Sequence, residues 1–392
     1  MKKIVSLVLA ISMILTMTTS FAVMAEETEE QPSDAVTVTH ETDEEEIKEY
    51  TLSLEAAIEL ALTENPQLIA NEYGQNANKI NIKSANLAKG AAKKATKKFG
   101  IVGTTTVETL CMRNGYYVSA AQMQYDLSVI ERERIVASIS YNTTKAYYNV
   151  VLIDMLLSAA QNSYNIALEN KKVVDAQYEQ GLVAELFYEN AGISVDVAKS
   201  KLEAYQLNKE IALSNLKNIL NVPENSVLIL TDTIKTEEFS ADVDADINSA
   251  METRYDIISL KRVYELSEEY FENTKVFTES SAVYNTAYAD TLNKKYQYDS
   301  AKDGIALSIK NSYNTILTNH SAMDIAKKSL EMKEREYEVA KLKYDLGMIT
   351  NLELTDCIYS LYEAEVAYCQ AEIDYTMSVE KYKYDITIGL PQ

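Results

Sequence analysis

Tryptophan is absent from this 392-residue chain, and histidine (two), cysteine (three), proline (four) and glycine (ten) are all scarce. The two histidines, His40 and His320, stand in an acidic stretch and amid helix-forming sequence, so no imidazole cluster suggests a metal centre or acid–base catalysis. Cys111, Cys357 and Cys369 are an odd, sparse set that makes no disulfide framework. The latter two lie twelve apart and on one helix would point in different directions. There is no glycine-rich phosphate loop and no nucleophile paired with a base. These absences exclude the common enzyme classes, and no cofactor is implied.

Long apolar runs are also missing, apart from one at the N-terminus. Lys2 and Lys3 precede the run Ile4 to Met17, and Val23-Met24-Ala25 places small residues at a cleavage site. Residues 1–25 therefore read as a secretory signal peptide, too short in its apolar part for the ~20 residues of a spanning helix. No lipid-accepting cysteine follows the cut. Export removes two of the 37 basic residues and leaves 35 against 59 acidic, a balance of −24. That balance argues against nucleic acid and against anionic lipid surfaces as partners. Much of the excess sits in residues 26–50, whose acidic, weakly apolar composition predicts a disordered leader.

What the chain has in quantity is helix-forming sequence without punctuation. No Gly or Pro occurs between Gly115 and Gly181, and only Gly304 interrupts the stretch from Ala282 to Gly347. Each window fits a single helix close to 100 Å long at about 1.5 Å per residue. Apolar residues recur every seven positions: Ile139, Ala146, Ile153, Ala160, Ala167 and Val174 in the first window, Ile309, Ile316, Met323, Leu330, Tyr337 and Tyr344 in the second. A third stripe runs through Leu354, Leu361, Tyr368, Tyr375 and Tyr382. Such stripes predict long helices packed side by side as coiled coils.

The glycines then explain where the chain reverses. Tyr178-x-x-Gly181 and Tyr344-x-x-Gly347 each close a long window, and each is followed by about 35 further helical residues. A residue free to take positive φ lets the chain turn back, so two long helical hairpins are expected. Tyr148 pairs with Tyr313, Gly181 with Gly347, and Asn221-Val222-Pro223 with Gly389-Leu390-Pro391, at near-constant offsets. Asn65-Pro66-Gln67-Leu68 pairs likewise with Arg254-Tyr255-Asp256-Ile257. One unit of short helix, long helix, Gly turn and medium helix is used twice, over 51–223 and 251–392. A connector at 224–250, with a brief strand-like run, joins them. The fold class is therefore mainly all-α, two repeats of antiparallel helical hairpins.

With order and spacing in hand, the chain resembles the TolC-like outer-membrane efflux proteins over roughly residues 50–392. The resemblance is carried by LSLEAAIELALTENPQLIANE (52–72), by KAYYNVVL (145–152) and by the two Tyr-x-x-Gly turns. It implies a homotrimer whose twelve helical strands form a hollow duct. The turns would form its narrow entrance, meeting a periplasmic adaptor (membrane fusion protein) coupled to an ABC or RND-type transporter. It assigns the tip residues Tyr178, Gly181, Leu182 and Val183, with Tyr344, Gly347, Met348, Ile349 and Thr350, to adaptor contact. Glu353 and Asp356 match positions where family members place inward acidic residues, so three copies would ring the mouth with up to six carboxylates and favour cations. At the first turn Phe187 and Asn190 stand in the corresponding places and Ala184 replaces the usual Ser or Thr. Ile349 stands where some relatives carry Arg, which removes a salt-bridge latch.

The family also implies a β-hairpin in each unit for an outer-membrane barrel, with strands of ~9–11 alternately apolar residues. Here the first unit offers only residues 99–115, room for a small hairpin, and the second only Thr278 to Ser281. The 28 tyrosines lie along helical seams, and with no Trp there is no aromatic girdle. The expectation is an α-helical duct with little or no barrel, a passive component of an efflux or type I secretion system. Its place is the cell envelope: the outer membrane by analogy, or the wall region of a cell that has no outer membrane. The alternative is an exported coiled-coil scaffold or adhesion protein without a conducting lumen.

Overall fold

A computed structural model describes residues 48–99, 106–234 and 236–390, in which nine helices and two short strands follow one another. The segments read as signal peptide and disordered leader lie outside the described residues up to residue 47, as does 100–105 of the candidate hairpin; Glu49 and Tyr50, at the end of the expected leader, are instead strand. In order the elements are β1 (Glu49–Leu52), α1 (Leu54–Leu62), α2 (Pro66–Phe99), α3 (Val107–Asn114), α4 (Tyr116–Glu179) and α5 (Glu185–Leu220). The second half carries β2 (Val227–Leu230), α6 (Val243–Thr253), α7 (Tyr255–Thr274), α8 (Ala282–Asp345) and α9 (Asn351–Asp385).

The two unpunctuated windows are each a single 64-residue helix, α4 and α8, about 96 Å long. Their seven-residue stripes are buried toward mid-length and half-buried toward the turns, where Tyr344 is exposed. Ile139, Ala146 and Ala160 on α4 and Ile309 and Ile316 on α8 are buried, as are Tyr375 and Tyr382 on α9. The stripes fix how elements pack. In the first repeat α4 packs along α2 and α5; in the second, α8 packs along α7 and α9. The two repeats join because α4 also packs on α9 and α7. That central position explains why α4 is buried on several sides between Ala137 and Ala160, including Thr143 and Tyr147.

Helix α2 runs antiparallel to α4. The side-chain amides of Asn71 and Asn78 donate to the carbonyls of Ser128 and Gln124 at 3.1 and 3.2 Å. The C-terminal end of α2 therefore lies toward Tyr116, the end of α4 away from Gly181.

Two features differ from expectation. Where a small β-hairpin was allowed at 99–115, the described part is helical. Thr106 caps α3 in a reciprocal capping box with Thr109, and Leu110 and Cys111 are buried. Local capping and burial outweigh the β-branched content of the segment. Near Thr278 to Ser281 the chain makes a turn, the Ser281 N–H donating to the Thr278 carbonyl at 2.9 Å before Ser281 caps α8.

The second is a two-stranded parallel sheet that brings together the residues before α1 and the strand-like run after α5, with Glu49 opposite Val227 and Leu52 opposite Leu230. Its anchor is Tyr147 of α4, fully buried. The Tyr147 hydroxyl donates to the Leu52 carbonyl, and Asp232 accepts the Leu54 N–H at 3.0 Å to start α1.

Candidate functional site

The candidate site is the pair of helix-to-helix turns. The same backbone device builds both. Gly181 and Gly347 take φ +72° and +70°, a region that L side chains rarely adopt. At the first turn the Gly181 N–H donates to the Tyr178 carbonyl at 2.9 Å and the Leu182 N–H to the Gln177 carbonyl at 2.9 Å. At the second, the Gly347 N–H donates to Tyr344 at 2.9 Å and the Met348 N–H to Lys343 at 2.8 Å. Both are Schellman endings, which satisfy the last carbonyls of the descending helix while the chain reverses. Leu182 and Met348 then stand exposed at 69% and 68%, whereas the next residues, Val183 and Ile349, are half-buried.

The turns differ in how the return helix begins. Thr350 caps α9: its hydroxyl accepts the Glu353 N–H at 3.3 Å, and the Glu353 carboxylate accepts the Thr350 N–H at 2.8 Å and hydroxyl at 3.0 Å. The Thr350 N–H holds the Glu353 carboxyl below its usual range, and the Thr350 hydroxyl adds to this. Glu353 is thus charged and also the partner of its own helix start. Ala184 stands at the same place before α5 and offers no side-chain cap. The first tip is braced instead by aromatics, with Tyr178 stacked on Tyr188 at 4.8 Å and the Lys171 ammonium 4.3 Å over the Tyr188 ring.

Asp356 is exposed one turn beyond Glu353, while Thr355 between them is buried. Phe187, in the corresponding place on α5, is exposed at 62%, and Asn190 is exposed too. Sequence reasoning passed over Tyr188 and Lys171, which bear no motif. It also passed over the cap, although Thr350-x-x-Glu353 is a legible capping signature.

The three cysteines are free, with Cys111 and Cys369 buried and their thiols pushed up to about 11, chiefly by burial. Among the described residues no cluster of His, Cys, Asp and Glu could hold a metal ion, and no helix is long and apolar enough to cross a membrane.

No family model matches the chain. It is 23% identical over 277 residues, 68% of its own length, to the toxin and drug export protein A of Aggregatibacter actinomycetemcomitans, and spans 56% of that relative. Among solved structures it is similar to the CmeC outer membrane channel of Campylobacter jejuni, with a TM-score of 0.64 at 16% identity and 86% of each chain covered. The outer membrane protein VceC of Vibrio cholerae gives 0.63 at 12% identity, with 86% of this chain and 97% of that one covered. The open MtrE outer membrane channel of Neisseria gonorrhoeae gives 0.63 at 15%, covering 86% and 89%. Against those folds, the strands among the described residues are four residues long, short of the ~9–11 that a membrane strand requires. The resemblance read from the paired turns holds at the level of the fold: the helical hairpins of this chain are arranged as in those outer membrane channel proteins, with no barrel hairpin among its described residues.

Proposed function

We propose that the protein is a passive export duct of the cell envelope, a homotrimer closed head to tail, which works with an adaptor and an energised ABC or RND-type pump. The observation that carries this reading is a pair of unpartnered apolar edges. On α5, Ile193, Val197, Leu207 and Ile211 are 59–67% exposed at coiled-coil spacing. On α8 and its C-cap, Ile325, Met332, Val339 and the cap residue Leu346 are 50–69% exposed, each seven residues from the next. Stripes of this length are rarely left to water.

The internal repeat says what covers them. Within one chain, α4 of the first repeat packs on α9 and α7 of the second. The equivalent contact for α8 needs α5 and α2 of a first repeat, and those belong to a second copy. A contact between different faces of identical chains closes into a ring when its rotation allows. Three copies are what the resemblance to the TolC-like family implies, and the wall would then hold two turns from each copy. The exposed tips, with Leu182 and Met348, are the surface offered to the adaptor, and Glu353 with Asp356 is the acidic band of the mouth.

The test is the solution mass of the full chain and of an Ile193→Asp, Val197→Asp variant. The wild type is expected at three times the protomer mass and the variant at one, with helicity retained. A monomeric wild type that does not crosslink sinks the duct and favours the second reading, an envelope scaffold without a lumen, for which the short strands speak.

A further inference from the structure

The chain is acidic overall, yet the stretch between Glu72 and Glu108 holds seven lysines and no Asp or Glu. These lysines belong to α2, six of the seven on the half that runs toward the end of the rod away from the glycine turns. On a seven-residue repeat, Tyr73, Ile80, Leu87 and Lys94 line the outward side of α2, and Lys79, Lys83, Lys93 and Lys97 flank it. Among the described residues Lys83, Lys93, Lys94 and Lys97 are exposed and make no ion pair. At the very end, Lys93, Thr96 and Lys97 of α2 face Arg113 and Asn114 of α3 across an open cleft of about 560 Å³. All five side chains are hydrogen-bond donors, three of them are cations, and none carries negative charge. Two apolar side chains are exposed on the elements beside the cleft: Leu87, 76% exposed and six residues before Lys93 on α2, and Val276, 65% exposed, just past the end of α7. Val276 lies three residues past Asn273, whose side chain accepts from Asn114 at 2.6 Å.

We propose that this end of the protein docks on an anionic membrane surface, the cleft between α2 and α3 taking lipid phosphates while Leu87 and Val276 enter the headgroup layer. Net charge sets the field at a distance, but at contact, within a Debye length of about 8 Å, a local cluster governs. Basic residues beside an anionic bilayer each strengthen binding about fivefold. The exposed apolar pair is what favours a bilayer over a soluble phosphate polymer, because only a bilayer offers it an apolar boundary. The contact also supplies a foothold for an end whose described residues carry no membrane strand. It does not depend on whether the lumen conducts.

Co-sedimentation of the full chain with phosphatidylcholine vesicles, with and without phosphatidylglycerol, tests this at low and high salt. Binding is expected only with phosphatidylglycerol and is expected to fall at high salt. Lys93→Glu, Lys94→Glu and Lys97→Glu together should weaken it at least about a hundredfold with circular dichroism unchanged. Should that variant misfold, the Gln versions of the same three sites should lower binding in the same direction. Lys327→Glu with Lys328→Glu, on α8 toward the turns, should leave it alone. Equal binding by the Lys93, Lys94 and Lys97 variants overturns the proposal. So does binding to inorganic polyphosphate without binding to vesicles. Vesicle binding by a chain that fails to trimerise would retain this inference and discard the duct.

Discussion

The hydroxyl of Tyr147 donates to the carbonyl of Leu52 at 3.0 Å, across 95 residues of sequence. The same oxygen accepts the backbone N–H groups of Thr231 and Asp232 at 3.2 and 3.0 Å. One phenol thus ties the first strand, the long helix and the loop after the second strand. Tyr147→Phe keeps the ring and strands these buried backbone groups, so stability should fall by about 1–3 kcal/mol. Urea unfolding followed by circular dichroism checks this.

The other tyrosines predict an alkaline limit. Burial raises Tyr116 to about 12, and Tyr368 is raised to about 12 by burial and by its bond to Glu372. Tyr382 is pushed up further by burial and by Asp246, whose carboxylate accepts its hydroxyl at 2.7 Å. The unfolded value is about 10. A folded pKa above the unfolded one gives stability that is complete below about pH 10 and lost as pH climbs toward 12. Phenolate absorbance of the native protein should therefore rise later than that of the urea-unfolded chain, and unfolding should set in between those limits. Coincident titration curves would refute it.

Three glycines with positive φ separate backbone strain from crowding. A Cβ at Gly181 or Gly347 would meet nothing within 4 Å, so Ala there carries only the left-handed penalty, about 1–2 kcal/mol. At Gly389 a Cβ would also come within 2.9 Å of the Arg254 guanidinium. That group cannot swing away, because Asp256 holds it at 2.7 and 3.0 Å and the Asp385 carbonyl at 2.7 Å. Gly389→Ala should cost more than either turn variant. Gly304→Ala, in mid-helix with open space around it, should stabilise by roughly 0.5–1 kcal/mol. Thermal unfolding should place Gly389→Ala lowest, the two turn variants above it but below the wild type, and Gly304→Ala above the wild type.

The acidic residues of the second turn give a functional prediction. Glu353→Gln retains a side chain able to cap α9 while losing its charge. Together with Asp356→Asn it should lower the preference for cationic over anionic substrates in an efflux assay of the assembled system and leave melting nearly unchanged. Since Thr350 holds the Glu353 carboxyl below its usual range, its share of that preference should persist somewhat below the ordinary glutamate titration range. Its stabilising bond should likewise persist above that range and fade only as pH falls through the lowered value. Unaltered selectivity in the double variant removes the acidic ring.

Much of the architecture was legible because it is local. Helix propensity with no Gly or Pro to interrupt it gave α4 and α8 nearly to the residue, and Tyr-x-x-Gly gave the turns. The strand-like run of the connector was legible and became β2, but its pairing was not, since four residues at Glu49–Leu52 carry little pattern and the partners are 178 positions apart. The hydroxyl of Tyr147 could not be told from the apolar use of its neighbours on the seven-residue stripe. Helix α3 escaped because Val, Thr and Cys favour strands on their own, whereas a cap at Thr106 and a buried Leu110 decide otherwise. The open edge of Ile325 and Met332 escaped, because the seven-residue stripe singled out on α8 runs in another register, through Ile309, Ile316 and Met323.

The two longest helices have the same length, 64 residues. A matched pair of rods behaves as a ruler. Seven residues inserted into one alone would push its tip about 10 Å past the other and tilt the mouth. Adjusting the span to a thicker or thinner envelope thus requires paired changes, in whole heptads and in both repeats, with the return arms lengthened to match.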